Sequence, residues 1–396
     1  MLRKLITCLL FLSCFLFCSA QKQRLDSLYR IYNQSSLPDT IRLAALDKIT
    51  RDYFFINQDS AMILCNLELA YAKRIGNKAW EAEGNDRVGI CYYIQGKYTE
   101  SLKYYLISLK MAEDAGYRSG IIHVYMNMGN LYEAQSNYRE ALRYFLQGLP
   151  QAEKSGDKKS MGLYYTSIGG LYQDEGNYPL SLKYMLQSLK AAAEINDKSI
   201  LSMAYSNMGN VYSEMENYPE ALKNFVQCLK IDKEINNKLG IGATYGNLGI
   251  ISEKLGQYSE AIKDDSLAIS ISKETGDESV MGPISSNLAS VYFLQNNYPE
   301  ALKYYVEAMQ LDKKLNNTEE VGASFDYIAD VFIKQKKYPL AGIYLDSALI
   351  LAKQVGAKKS IEVAYSDKAV LDSATGNYKA AYIFRFLSWM LFTKRL

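Results

Sequence analysis

Apolar positions recur at helical spacing along most of the chain. In one stretch Tyr205, Met208, Gly209 and Tyr212 fall at i, i+3, i+4 and i+7, and Ala221, Leu222, Phe225, Cys228 and Leu229 repeat the pattern shortly afterwards. That spacing lines one face of each of two consecutive helices, which predicts a helical hairpin. A small residue recurs on the first helix of each pair, at Gly129, Gly169, Gly209, Gly249, Ala289 and Ala329, where two helices must approach closely. One hairpin cannot bury its apolar face alone, so the hairpins are expected to stack.

The punctuation between the helices is periodic. Tyr98, Tyr138, Tyr178, Tyr218, Tyr258, Tyr298, Tyr338 and Tyr378 are spaced by forty residues without an insertion or deletion. A second register runs through Gly76, Gly116, Gly156, Asn196, Asn236, Gly276, Asn316 and Gly356. Gly and Asn enter the left-handed conformation that closes a helix C-terminus, so this register marks helix ends. "NYPE" at 217–220 and 297–300 and "NYRE" at 137–140 supply Asn as N-cap and Glu three residues later, a capping box. Pro219 and Pro299 fall in the first turn, where a missing N–H costs little. The tyrosine therefore stands where a helix begins.

These residues, an aromatic, Leu or Met followed by Gly or Ala, Tyr, then "NYPEALKYY", resemble the tetratricopeptide repeat. That family's usual period is about 34 residues; the longer period here resembles Rap-type peptide receptors, kinesin light chains and G-protein-regulator scaffolds. The resemblance covers about 320 residues from position 42 onward. It implies an all-α fold, a right-handed α-α superhelix or solenoid of tandem hairpins, with the tyrosine register in the hairpin core. The expected organisation is an N-terminal capping helix over 21–41, a degenerate repeat over 42–81, seven repeats over 82–361, and a divergent C-terminal repeat over 362–396. In the last repeat Lys368 and Asp372 replace apolar residues of the first helix, as a solvent-facing cap requires.

The N-terminus changes the picture of where the chain works. Arg3 and Lys4 precede an apolar run from Leu5 to Phe17, then small Ser19 and Ala20, a pattern that reads as a secretory signal peptide over 1–20. The apolar run is shorter than the roughly 20 residues of a spanning helix, and bulky Phe17 before Cys18 argues against a lipoprotein signal. Export to the periplasm or envelope of a Gram-negative bacterium is the expectation. From 45 basic residues, loss of Arg3 and Lys4 leaves 43 against 43 acidic, so no net field draws the mature chain to nucleic acid. Cys65, Cys91 and Cys228 remain after cleavage. They read as small buried hydrophobes, with a Cys65–Cys91 bridge between neighbouring helices as the alternative.

Catalytic chemistry has little to draw on. His123 is the sole histidine, and no metal-protease, paired-cysteine or phosphate-loop motif occurs, so neither enzyme activity nor a cofactor is expected. "GATYGNLG" at 242–249 is glycine-rich but lies inside a predicted helix. Asp264 and Asp265 form a paired carboxylate, with Asp265 where sister repeats place Tyr105, Phe145 or Tyr305; a packing defect or an exposed helical turn is the expectation. Binding is better supported. By the resemblance, first helices line a concave face, and the inward positions include Asn127, Asn130, Asn207, Asn210, Asn247 and Asn287, with Tyr93 and Phe293. A side-chain amide offers two donors and an acceptor, which suits the backbone of an extended peptide; the alternative is that these amides are hydrated or bonded within their repeats. Glu83 and Asp86 at one end and Asp326, Asp330 and Asp367 at the other make the groove ends acidic. The lysine clamp of chaperone-binding repeats is absent, with Met126, Thr166 and Ser206 in its place. The apolar last helix, Tyr382 to Leu396, offers a membrane or partner contact. The expectation is a non-enzymatic scaffold for a protein or extended peptide; the rival is the sensory half of an envelope signalling system.

Overall fold

The computed structural model describes residues 23–393. The signal peptide expected over 1–20 and the last three residues of the apolar tail lie outside the described residues. All regular structure among the described residues is helical, and the chain divides into two compact units between Ile195 and Asn196.

The first unit opens with helical residues 23–33 (α1), followed by α2 (Asp39–Ile56) and α3 (Gln58–Arg74). Three hairpins come next: α4 (Lys78–Ile94) with α5 (Tyr98–Asp114), α6 (Arg118–Ala134) with α7 (Tyr138–Ser155), and α8 (Lys158–Asp174) with α9 (Tyr178–Glu194). The second unit has five hairpins: α10 (Lys198–Glu214) with α11 (Tyr218–Glu234), α12 (Lys238–Lys254) with α13 (Tyr258–Thr275), α14 (Met281–Leu294) with α15 (Tyr298–Lys314), α16 (Thr318–Lys334) with α17 (Tyr338–Val355), and α18 (Lys358–Ala374) with α19 (Tyr378–Thr393). Within each unit every hairpin packs on the next, so each is an α-solenoid.

The expected helix ends are where the sequence puts them. Gly156 closes α7 at φ 69°, and Asn236 closes α11 at φ 56°. A second left-handed register, inside each hairpin, was not legible beforehand. It runs through Gly96, Ser136, Gly176, Glu216, Gly256, Asn296, Lys336 and Gly376, all at positive φ. Gly or Asn holds most of these positions, and Ser136, Glu216 and Lys336 take the same conformation within the same locally bonded turn. Around Glu216 the N–H of Asn217 bonds the carbonyl of Tyr212 at 2.8 Å and that of Glu216 bonds Ser213 at 2.9 Å, a Schellman closure. The expected capping box is accordingly only half made. Asn217 Oδ1 accepts from the Glu220 N–H at 3.5 Å, but the Asn217 N–H is already held by Tyr212.

The tyrosine register also needs correction. Tyr98, Tyr178, Tyr218, Tyr258, Tyr298 and Tyr338 are only partly buried, Tyr138 is exposed, and Tyr378 is 73% exposed. As the first residue of the second helix, each lies at the hairpin margin; Tyr98 stands 6.1 Å from the Tyr93 ring and Tyr298 6.0 Å from Phe293. The buried core lies two turns further along, at Tyr105, Phe145, Met185, Phe225, Tyr305 and Leu345. These side chains fill the space opened by the small-residue register. A Cβ on Gly129 would come within 2.1 Å of the Phe145 ring, and one on Gly209 within 2.6 Å of Phe225.

Cys65, Cys91 and Cys228 are free and buried. The first two face each other from α3 and α4 with their sulfurs 3.4 Å apart. "GATYGNLG" lies within α12, and Gly249 there faces Asp265, which is fully buried rather than on an exposed turn.

Candidate functional site

The asparagines proposed to line a groove all fall on first helices. In the first unit Asn127 and Asn130 lie on α6 and Tyr93 on α4; in the second Asn207 and Asn210 lie on α10, Asn247 on α12, and Asn287 and Phe293 on α14. All eight are partly buried. Asn127 is already engaged, its Nδ2 donating to Asp86 Oδ1 at 2.8 Å. Among the described residues no side-chain hydrogen bond engages Asn130, Asn207, Asn210, Asn247 or Asn287, so their amides keep donors and acceptors for a ligand.

In the first unit the carboxylates of the expected acidic end are gathered around a buried cation. Glu83 and Asp86 are buried around Arg87, which is itself 6% exposed. Its guanidinium donates to Asp47 at 3.1 Å, Glu83 at 2.8 Å and Asp86 at 3.0 Å. Burial alone would lower the Arg87 pKa, but Asp86, Glu83 and Asp47 raise it and hold the cation. Tyr117 adds a hydrogen bond to Glu83 at 2.6 Å. Glu68 sits beside this cluster with both carboxylate oxygens unpartnered, and burial, with Asp47 adding repulsion, pushes it up to about 8. The cluster is a buried polar core whose carboxylates are engaged by groups of the chain itself.

The second unit differs. A cleft of about 580 Å³ opens against α12, α14 and α16, lined by Glu253, Asn287, Phe293, Tyr305, Tyr327 and Asp330 among others. The Tyr305 and Tyr327 rings stack at 5.3 Å. Of the expected groove residues, the structure brings Asn287 and Phe293 together here. Asp326 beside the cleft is buried, with Oδ1 unpartnered, and burial plus the nearby Asp367 and Asp330 push it up to about 8. Asp367 is pushed up to about 7 by burial and by Asp330. Asp330 is raised by burial, against the pull of Lys334. No group of three or more His, Cys, Asp or Glu among the described residues is arranged to hold a metal ion.

The last helix presents a third surface. Ala381 is buried and Phe384 stacks on Tyr365 at 5.8 Å, so one side of α19 docks on α18. Tyr382, Phe386 and Trp389 are left 74%, 50% and 57% exposed. No helix among the described residues is long and apolar enough to cross a membrane.

Comparison with known proteins agrees with this architecture. The family model described as tetratricopeptide repeat matches residues 80–154, 160–234 and 240–314. No curated protein matches the sequence. Among solved structures, a signal transduction ATPase with numerous domains and a tetratricopeptide repeat sensor, from Pyrococcus horikoshii, aligns at TM-score 0.66 and 16% identity. That alignment covers 92% of this chain and 54% of the other, so the chain spans about half the length of that protein. A Rap protein complexed with competence and sporulation factor aligns at 0.61 and 14%, covering 90% and 98%. The apo form of the quorum sensor NprR from B. thuringiensis aligns at 0.61 and 18%, covering 84% and 99%. At these identities the likeness is one of fold.

Proposed function

Because this chain belongs to the tetratricopeptide repeat family, we propose that it is a non-enzymatic, exported interaction scaffold that holds an extended peptide or protein segment on the faces of its first helices. The observation that carries this reading is the set of partly buried asparagines whose amides have no partner within the described chain. These amides are within reach of water, and a ligand backbone that replaces that water with paired donors and acceptors is held without dictating its own side-chain sequence. Aromatic neighbours such as Phe293 and Tyr327 add apolar contact in the second unit. That a Rap protein of like fold was solved with competence and sporulation factor, and that NprR is a quorum sensor, supports the same reading.

The test is capture by crosslinking from envelope extract with wild type and with a variant carrying Asn207→Ala, Asn210→Ala, Asn247→Ala and Asn287→Ala. Loss of one captured partner by a variant that still melts cooperatively supports the reading. Retention of that partner overturns it.

A second reading rests on the exposed face of α19. There the protein is the sensory half of an envelope signalling system whose output lies on another chain docked against Tyr382, Phe386 and Trp389. Changing Phe386 and Trp389 to Ser would then abolish capture while the asparagine variant retains it.

A further inference from the structure

The acidic residues of α16 and α18 stand at positions equivalent to the buried cluster of the first unit. Asp326 corresponds to Asp86 and Asp367 to Asn127, each pair of positions separated by 41 residues on successive first helices. In the first unit this pair is closed: Asp86 accepts from the Asn127 amide at 2.8 Å and from Arg87 at 3.0 Å. In the second unit the same geometry sets carboxylate against carboxylate. Tyr327 occupies the Arg87 position and brings no positive charge. Asp326 is 5% exposed and its Oδ1 accepts no hydrogen bond among the described residues.

A third carboxylate, Asp330, one helical turn beyond Asp326, lines the cleft with Tyr305, Tyr327 and Glu253. The nearby cations do not neutralise the group. Lys254 is paired with Glu253 at 3.2 Å, and Lys334 acts on Asp330 from the helix end. A buried acceptor with no donor, close to two further carboxylates of which Asp330 lines the cleft beside stacked aromatic rings, is the complement of a cation that brings its own N–H donors.

We propose that Asp326, Asp330 and Asp367 form a subsite for the positively charged side chain, ammonium or guanidinium, of a peptide held in the second unit's cleft. The subsite rests on the peptide-binding reading and adds the chemistry of one anchor residue. The cation does for Asp326 and Asp367 what Arg87 and Asn127 do for Asp86 in the first unit. The face of the Tyr327 ring stacks on the incoming chain.

An array of immobilised synthetic random-sequence peptides, each lysine- or arginine-containing member paired with a twin carrying glutamine instead, tests this with the mature full chain. Wild type is expected to favour the cationic member by about tenfold or more. Asp367→Asn, which restores the amide found at Asn127, and the triple variant Asp326→Asn, Asp330→Asn, Asp367→Asn are expected to melt cooperatively and to lose that preference. Peptide binding without a charge preference, or a preference that survives in both variants, overturns the subsite and leaves the peptide reading standing. Binding of no peptide by wild type overturns both. Thermal stabilisation of wild type, but not of Asp367→Asn, by calcium chloride alone would make this a metal site and also overturns the proposal.

Discussion

At position 265 the chain places a carboxylate where sister hairpins bury Tyr105, Phe145, Met185 or Phe225. Asp265 is fully buried with both oxygens unpartnered, and burial, with Glu253 and Asp264 adding repulsion, pushes it up to about 8. Its pKa is thus raised on folding from an ordinary value of 3.8, so between these limits the folded state binds the extra proton. The corresponding stability is fully present below the ordinary value and is lost as pH rises through about 8. Glu68, Asp326 and Asp367 act in the same direction. Urea midpoints are therefore expected to fall from pH 5 to pH 8. Asp265→Leu should flatten that slope and raise stability at pH 8 by about 1–4 kcal/mol; an unchanged slope would show that Asp265 is solvated. Glu216 and Lys336 offer a second residue-scale test, since both hold the left-handed conformation with a side chain. Glu216→Gly should stabilise by about 1 kcal/mol in chemical denaturation.

Helix pairing decides what the polar and sulfur-bearing residues become. Arg87 on α4 reaches Asp47 on α2, forty positions earlier, so it links two first helices of the first unit. Arg87→Met leaves several carboxylates buried without their cation and should cost about 3–5 kcal/mol, read as a drop in the urea midpoint. Exposed pairs repeated along the solenoid, such as Lys158 with Glu194 and Lys198 with Glu234, add little by contrast, because water and salt screen them. Between α3 and α4 the sulfurs of Cys65 and Cys91 are close enough that a mild disulfide oxidant should join them, each thiol losing a proton and the pair two electrons to the oxidant. Closing that loop should stabilise by about 3 kcal/mol. Mass spectrometry for the loss of two hydrogens, with Cys91→Ala as control, checks it.

For the chain as a whole, the forty-residue period is the controlling quantity. Residues 138–177 span one whole period, and their deletion would join Asn137 to Tyr178, the same Asn-Tyr junction found at other hairpins. That deletion is expected to fold with a single cooperative transition and a proportionately smaller denaturant slope, whereas removing α7 alone should leave α6 unpartnered and abolish cooperativity. The last hairpin departs from the period in a purposeful direction. Arg385 stands in the register of Tyr105 and Phe145 but is exposed, and no further described hairpin covers it. Lys368, mostly buried, pairs with Asp346 and lies over the Phe384 ring at 5.1 Å, so the expected solvent-facing cap is in part an internal contact.

Fold class, hairpin boundaries and helix-closing turns were legible from the sequence because they depend on local preferences: apolar spacing, Gly or Asn at left-handed positions, and Asn or Pro at helix starts. The second left-handed register was not, because Ser136, Glu216 and Lys336 interrupt its Gly and Asn residues and carry no local preference for that conformation. Partial burial of the tyrosine register likewise depends on what stands opposite each ring, which spacing alone does not specify. The acidic groove ends differ in sequence at two aligned positions, with Tyr327 in place of Arg87 and Asp367 in place of Asn127. What that difference does is visible only in tertiary contact, since Arg87 and Asn127 satisfy Asp86 in the first unit while Asp326 Oδ1 in the second is buried without a donor and near further carboxylates. Charge compensation is a matter of distance and burial between residues far apart in the chain, and only the folded arrangement sets either.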